Sequence, residues 1–151
     1  DPAGVWALPG FFEHLDVFLP NQEELMAISG RQTFSEAVDA MTARVPVVAV
    51  KMGGEGAIGA RRGTPSDPPE LVHVAALPVD VVDTTGSGDS FDAGFLAGWL
   101  RGQPFAECLA LGVACGGLTA ARAGGFSGQP GYDLAMARAR DLLRAQQASR
   151  G

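Results

Sequence analysis

Apolar residues recur along this chain with two different periods, and the switches between them mark out its elements. Residues 10–14 fit one helical turn, and Asp16–Pro20 a short buried strand. Asn21 then stands where a helix N-cap belongs, with Glu24 three residues on in the capping-box position. Leu25, Met26 and Ile28 follow as an apolar face, and Gly30 can close the helix. A second helix is predicted from Ser35 to Arg44, carrying Ala37, Val38, Met41 and, less strongly, Ala40. The run PVVAVKM from Pro46 is apolar and β-branched without alternation, the pattern of a strand covered on both faces. GGEG (Gly53–Gly56) reads as a turn, Ala57–Arg61 as a strand, RRGTPSDPPE as a proline-rich loop, and Glu70–Ala75 as another strand. Val79–Val82 is predicted as a short strand. From Asp89 to Arg101 the helical period returns through Phe91, Phe95, Leu96, Trp99 and Leu100, and Gly102 ends it. Pro104 opens a helix rich in Ala, Gly and Cys that runs to about Ala123. After the loop GGFSGQPG, Tyr132–Ala148 forms an amphipathic terminal helix. Strands alternating with helices predict an α/β fold, a mostly parallel sheet flanked by helices, with residues 57–75 as an antiparallel edge hairpin.

Composition narrows the field. At 151 residues, 46% of them hydrophobic and 19% charged, the chain is long and apolar enough for one domain with a core. The net charge of −6 argues against nucleic acid or an anionic membrane as main partner. No apolar run reaches the length of a membrane span. Cys108 and Cys115 lie on one predicted helix, roughly 10 Å apart at 1.5 Å per residue, too far for a disulfide. They read as small core residues in a reducing, cytoplasmic compartment. His14 and His73 form no ligand pattern.

The chemistry concentrates in DTTGSGDS, residues 83–90. The carboxyl ends of strands are where α/β folds bind ligands. Gly86, Ser87 and Gly88 can aim consecutive N–H groups into one concavity, and the helix behind adds its positive end, so the segment suits a phosphate. Asp89 can be a simple cap or dipole partner, or it can take the proton of a hydroxyl attacking a phosphorus atom held by the loop. The GxxxxGK[ST] spacing of a Walker loop is absent. KMGGEG also follows a buried strand. It is either a hairpin turn or a second phosphate loop, with Lys51 as its positive charge. Asn21 and Glu24 form a capping box, or Glu24 also helps hold the hydration shell of Mg²⁺. The small residues of the 104–123 helix allow a neighbouring backbone or a flat ligand to approach closely.

Together these stretches resemble the ribokinase-like (PfkB) family of carbohydrate kinases. DTTGSGDSFDAGFLAG resembles its C-terminal signature, PNQEE its N-x-x-E element, and KMGGEG its glycine-containing nucleotide loop. The order and spacing agree from Asp1 to the final helix. The resemblance implies ATP-dependent phosphorylation of a sugar hydroxyl, with Asp89 as catalytic base and Gly86, Ser87 and Gly88 as anion hole. It implies ATP contacts from Asn21, Lys51, Gly53 and Gly56, with Val113 beside the base, and an influence of Glu24 on Mg²⁺. Asp83 and Thr85, with carbonyls of Thr119, Arg122 and Gly124 and with Ser127, match positions that bind a monovalent cation such as K⁺ in many members.

Family members usually run to about double this length, and their N-terminal half carries most sugar-binding residues and a lid. The chain matches the C-terminal half only, and Asp1-Pro2 matches an internal strand end, so it reads as a fragment or as part of a longer chain. A sheet cut in mid-fold exposes an edge and apolar faces, which predicts association with a second copy or with the other half. Without a lid the substrate hydroxyl is poorly positioned, an effect worth roughly 7–11 kcal/mol in favourable cases, so little sugar phosphorylation is expected from these residues alone. A nucleoside kinase of the same family, a non-catalytic nucleotide-binding module and an inactive remnant are the alternatives.

Overall fold

The computed structural model of the chain describes residues 10–64, 67–125 and 127–149. The Asp1-Pro2 start lies outside them. The chain divides into two compact units, residues 1–52 with 58–72, and residues 53–57 with 73–151.

In the first unit a 3₁₀ turn, Phe12–His14, leads into β1 (Val17–Phe18), α1 (Gln22–Ser29), α2 (Phe34–Thr42) and β2 (Val47–Lys51). The capping box expected at α1 is present in both directions. Glu24 N–H donates to Asn21 Oδ1 and Asn21 N–H to Glu24 Oε2, each at 2.8 Å. Gly30 closes the helix at φ 64°. A second box, Thr33 with Glu36, starts α2 one residue earlier than the apolar spacing placed it. Of the residues expected on the α2 face, Ala37, Val38 and Met41 are buried and pack with Leu25, Val45, Val48, Val50 and Phe12, Ala40 is half-buried, and Thr42 is buried besides. Each fully buried aliphatic side chain of this kind contributes about 1.5–3 kcal/mol of transfer free energy.

The sheet order is β1-β2-β3-β4, with β3 at Ala57–Arg61 and β4 at Glu70–Val74. β1 and β2 are parallel, Val17 opposite Val47. The links from β2 to β3 and from β3 to β4 are too short for a parallel crossover, so those neighbours run antiparallel. Arg62 N–H accordingly donates to Pro46 O, joining the end of β3 to the start of β2. Arg61 Nε donates to Glu70 Oε2 at 3.1 Å across the β3–β4 pair. The sheet is therefore mixed, with the parallel share carried by β1–β2. Four consecutive residues of β2 are buried, as its unbroken apolar run implies.

The second unit is built on three helices: α3 (Ser87–Leu100), α4 (Phe105–Ala120) and α5 (Tyr132–Ala148). α3 and α4 meet through small residues. A Cβ on Gly94 would lie 2.7 Å from Cys115 Sγ and 2.8 Å from Leu111 O, and one on Gly112 would lie 3.0 Å from the Phe91 ring. The small-residue stretch of α4 thus serves close helix packing at these positions. Cys108 and Cys115 are both buried thiols on α4, and desolvation pushes the Cys115 thiol up to about 11. Among the described residues no helix is long and apolar enough to cross a membrane.

The strand expected at Val79–Val82 does not form. Val81 and Val82 are exposed, at 66% and 62%. The N–H groups of Val82 and Asp83 both donate to Ala120 O, at 2.8 and 3.1 Å. The last carbonyls of a helix lack intrahelical donors, and the end of α4 captures this segment before a ladder can.

Candidate active site around the start of α3

α3 begins at Ser87, two residues before the apolar period announces it. Its N-cap is Gly86, held at φ 72°, a left-handed conformation that costs glycine nothing. A Cβ there would sit 3.5 Å from Gly125 Cα, so the two loops also approach closely. Ser87 N–H donates to Thr84 O at 3.1 Å, and Ser90 N–H makes the first helical bond, to Gly86 O at 2.9 Å. Gly88 and Asp89 lie between them, in the first turn, where a helix leaves its amides without intrahelical acceptors. Among the described residues the amides of Gly88 and Asp89 are thus without a backbone acceptor, while the Ser87 amide is already engaged in the turn. The Asp89 side chain is exposed beside them. Directly after it, Ser90 is buried, and its hydroxyl has no partner among the described residues.

Asp83 anchors the approach to this turn. Its Oδ1 accepts Thr85 N–H and its Oδ2 accepts Gly124 N–H, both at 2.9 Å. Those bonds, the one from Gly124 first, hold its pKa down at about 2, so it is ionised under all ordinary conditions. Gly125 presses on Thr85, where a Cβ would lie 2.9 Å from the Thr85 carbonyl oxygen. Gly128 presses on Thr119 in the same way, 2.6 Å from its carbonyl oxygen. Residues 83–87 therefore pack against residues 119–125 and 127–128, which brings Asp83, Thr85 and Gly124 together. Thr119 is fully buried with its hydroxyl unpartnered among the described residues, and Arg122 is exposed. The glycines at 125 and 128 were legible only as loop formers; nothing in a single sequence says which carbonyl a glycine must clear.

The remaining candidates fall into two places. In the first unit, Asn21 and Lys51 form a parallel bridge, and Lys51 N–H donates to Pro20 O at 2.9 Å. Asn21, Glu24 and Lys51 thus gather at the carboxyl ends of β1 and β2, where such folds place ligands. In the second unit, Gly53–Glu55 is a 3₁₀ turn closed by Gly56 N–H to Gly53 O. Gly56 has φ 96°, and a Cβ on it would overlap the Val74 carbonyl oxygen. Val113 is buried in α4, adjacent to the Gly112 contact with Phe91.

Comparison with known proteins assigns the class. The chain belongs to the pfkB family of carbohydrate kinases, whose family pattern matches residues 3–130. It is 34% identical over 109 residues to an uncharacterized sugar kinase of Archaeoglobus fulgidus, covering 72% of this chain and 41% of that protein. Among solved structures it superposes on the ribokinase of Thermotoga maritima with a TM-score of 0.77 at 27% identity, over 93% of this chain and 48% of that one. The Arabidopsis thaliana ribokinase complexed with ribose and ATP gives 0.73 at 26%, over 85% and 42%. The α/β fold is thus that of the ribokinases, and the chain spans less than half the length of these relatives.

Proposed function

We propose that the chain carries the nucleotide-binding and phosphoryl-transfer residues of an ATP-dependent sugar kinase. The observation that carries this reading is the start of α3: an exposed carboxylate, Asp89, beside first-turn amides that have no helical acceptor. Family membership supports the same assignment. In this reading Asp89 accepts the proton of the sugar hydroxyl as it attacks. The open amides of Gly88 and Asp89, at the end of the Gly86–Gly88 turn, stabilise negative charge developing on the transferred phosphoryl group, and the left-handed Gly86 keeps them aimed there in advance. Asn21, Lys51, Gly53 and Gly56 contact the nucleotide, and Val113 lies beside its base.

The residues present fit the groups this chemistry needs. An amide-lined turn at a helix start is a donor set for phosphate. Bound ATP with Mg²⁺ supplies the transferable phosphoryl group. Among the described residues no cluster of three or more His, Cys, Asp or Glu could hold a metal ion. A Mg²⁺ ion keeps several of its waters and takes few carboxylates. Glu24 uses Oε2 in its capping box, which leaves Oε1 to orient such waters. Asp83, ionised at neutral pH, with Thr85 and the carbonyls of Thr119, Arg122 and Gly124, would hold a monovalent cation next to the anion-binding turn.

The test is a coupled phosphotransfer assay on the protein as expressed from its own gene, over a panel of sugars, beside ATP titration by calorimetry. Asp89→Asn is expected to lower turnover about 10²–10⁴-fold, the usual worth of a general base, with ATP affinity little changed. Turnover equal to that of the unsubstituted protein would remove Asp89 from this role. ATP binding with no turnover on any sugar would favour a non-catalytic binding module instead.

A further inference from the structure

β4 turns an exposed imidazole toward the glycine turn that precedes β3. His73 Nε2 lies 3.2 Å from the carbonyl oxygen of Glu55. A carbonyl can only accept, so Nε2 carries the proton and donates. Glu55 ends the 3₁₀ turn Gly53–Glu55, and the next residue, Gly56, is pressed against the Val74 carbonyl. The turn is therefore tied to β4 at two consecutive residues, by a side-chain hydrogen bond and by backbone packing. His73 is secured in its turn, because Gln146 of α5 donates from Nε2 to the His73 carbonyl oxygen at 3.1 Å. Elsewhere in the turn there is room: a Cβ on Gly53 or Gly54 would meet nothing within 4 Å among the described residues. A turn with three glycines has many conformations available, and a binding loop that must be ordered by its ligand loses affinity to that ordering.

We propose that His73 is a positioning residue for nucleotide binding: its bond to the Glu55 carbonyl holds the Gly53–Gly56 turn in the shape that receives the nucleotide. This rests on the reading of that turn as a nucleotide loop. The imidazole touches neither nucleotide nor sugar and acts through the turn alone. Gly53 and Gly54 leave room in the turn, and His73, Val74 and Gln146 supply its support.

Two substitutions at this exposed strand position separate the donor from the ring. His73→Phe keeps a ring and removes the donor, and His73→Gln restores an N–H at similar reach. Both are examined in the full chain by calorimetric titration with Mg-ATP and by amide hydrogen exchange over residues 53–56. His73→Phe is expected to weaken ATP binding about three- to tenfold, the loss of one net hydrogen bond, and to speed exchange in the turn. His73→Gln is expected to recover both, with the thermal midpoint unchanged throughout. Unaltered affinity and exchange in His73→Phe would overturn the proposal, and so would equal losses in Phe and Gln. If the unsubstituted chain fails to bind ATP, the nucleotide reading of the turn falls, and the affinity role of His73 with it. The exchange comparison then still decides whether His73 fixes the turn.

Discussion

The seam between α3 and α4 sets how the Asp89 turn is supported, and Gly94 is its tightest point. Replacing Gly94 by Ala adds one methyl group in the middle of a helix. Taken alone that favours folding, because Ala exceeds Gly in helix propensity by about 1 kcal/mol. Here the new Cβ would lie 2.7 Å from Cys115 Sγ and 2.8 Å from Leu111 O. The sulfur can rotate away, but the carbonyl belongs to the α4 backbone, so the helices must separate by a few tenths of an ångström. Overpacking of this kind costs about 1–3 kcal/mol, and even a small separation weakens the dispersion contacts along the seam. Clash and lost contact together outweigh the propensity gain, and a net destabilisation of about 1–2 kcal/mol is expected. For a chain of this size that lowers the thermal midpoint by about 2–8 °C. Gly98→Ala is the control. Its Cβ would approach Cys108 Cα at 3.2 Å and Cys108 Sγ at 3.3 Å, contacts that yield to a small shift, so its propensity gain and packing cost nearly cancel. The assay is urea unfolding followed by far-UV circular dichroism, comparing midpoints at constant slope. Cys115→Ala in the Gly94→Ala background should recover only part of the loss, since Leu111 O remains. Gly94→Ala as stable as the unsubstituted chain, or full recovery in the double variant, would refute a backbone-limited seam.

Two other perturbations test the loops and caps. Asp83→Asn replaces two carboxylate acceptors by one carbonyl and one NH₂, so either Thr85 N–H or Gly124 N–H must lose its partner, and faster amide exchange at one of them is expected. Because the Asp83 pKa is depressed in the folded state, its stabilisation is fully present above the unfolded value near 3.8 and is lost as pH falls toward about 2. Acid unfolding of the Asn variant should therefore lack that component, and an unchanged acid limb between those pH values would count against it. Thr33→Ala removes the α2 capping box and should cost about 1 kcal/mol, read from the same urea midpoints; no change would mean that Glu36 caps α2 unaided.

How much of this was legible in the sequence follows the range of the interactions involved. Capping boxes, glycine stops and the apolar run of β2 are decided within a few residues, so α1, β2, β3 and α5 could be read with nearly their observed limits. The start of α3 could not, because Gly86 enters it through a left-handed turn that no apolar period reports. Val79–Val82 misled for the opposite reason. Its β-branched residues favour a strand, yet a strand needs a neighbour, and the donors of Val82 and Asp83 go instead to the end of α4, nearly forty residues ahead. The same long-range bonding built what the sequence only hinted at around Asp83. The family resemblance already grouped Asp83 with Gly124, through the Gly124 carbonyl, but the bond from the Gly124 N–H to the Asp83 carboxylate has no local signal in the chain. His73 is the sharpest instance: a histidine without a ligand pattern looks uninformative along the chain, and only the antiparallel return of β4 sets it against the Glu55 carbonyl. Residues whose role is to hold another segment in place acquire that role from topology, which is why the catalytic candidates could be named from a motif and their supports could not.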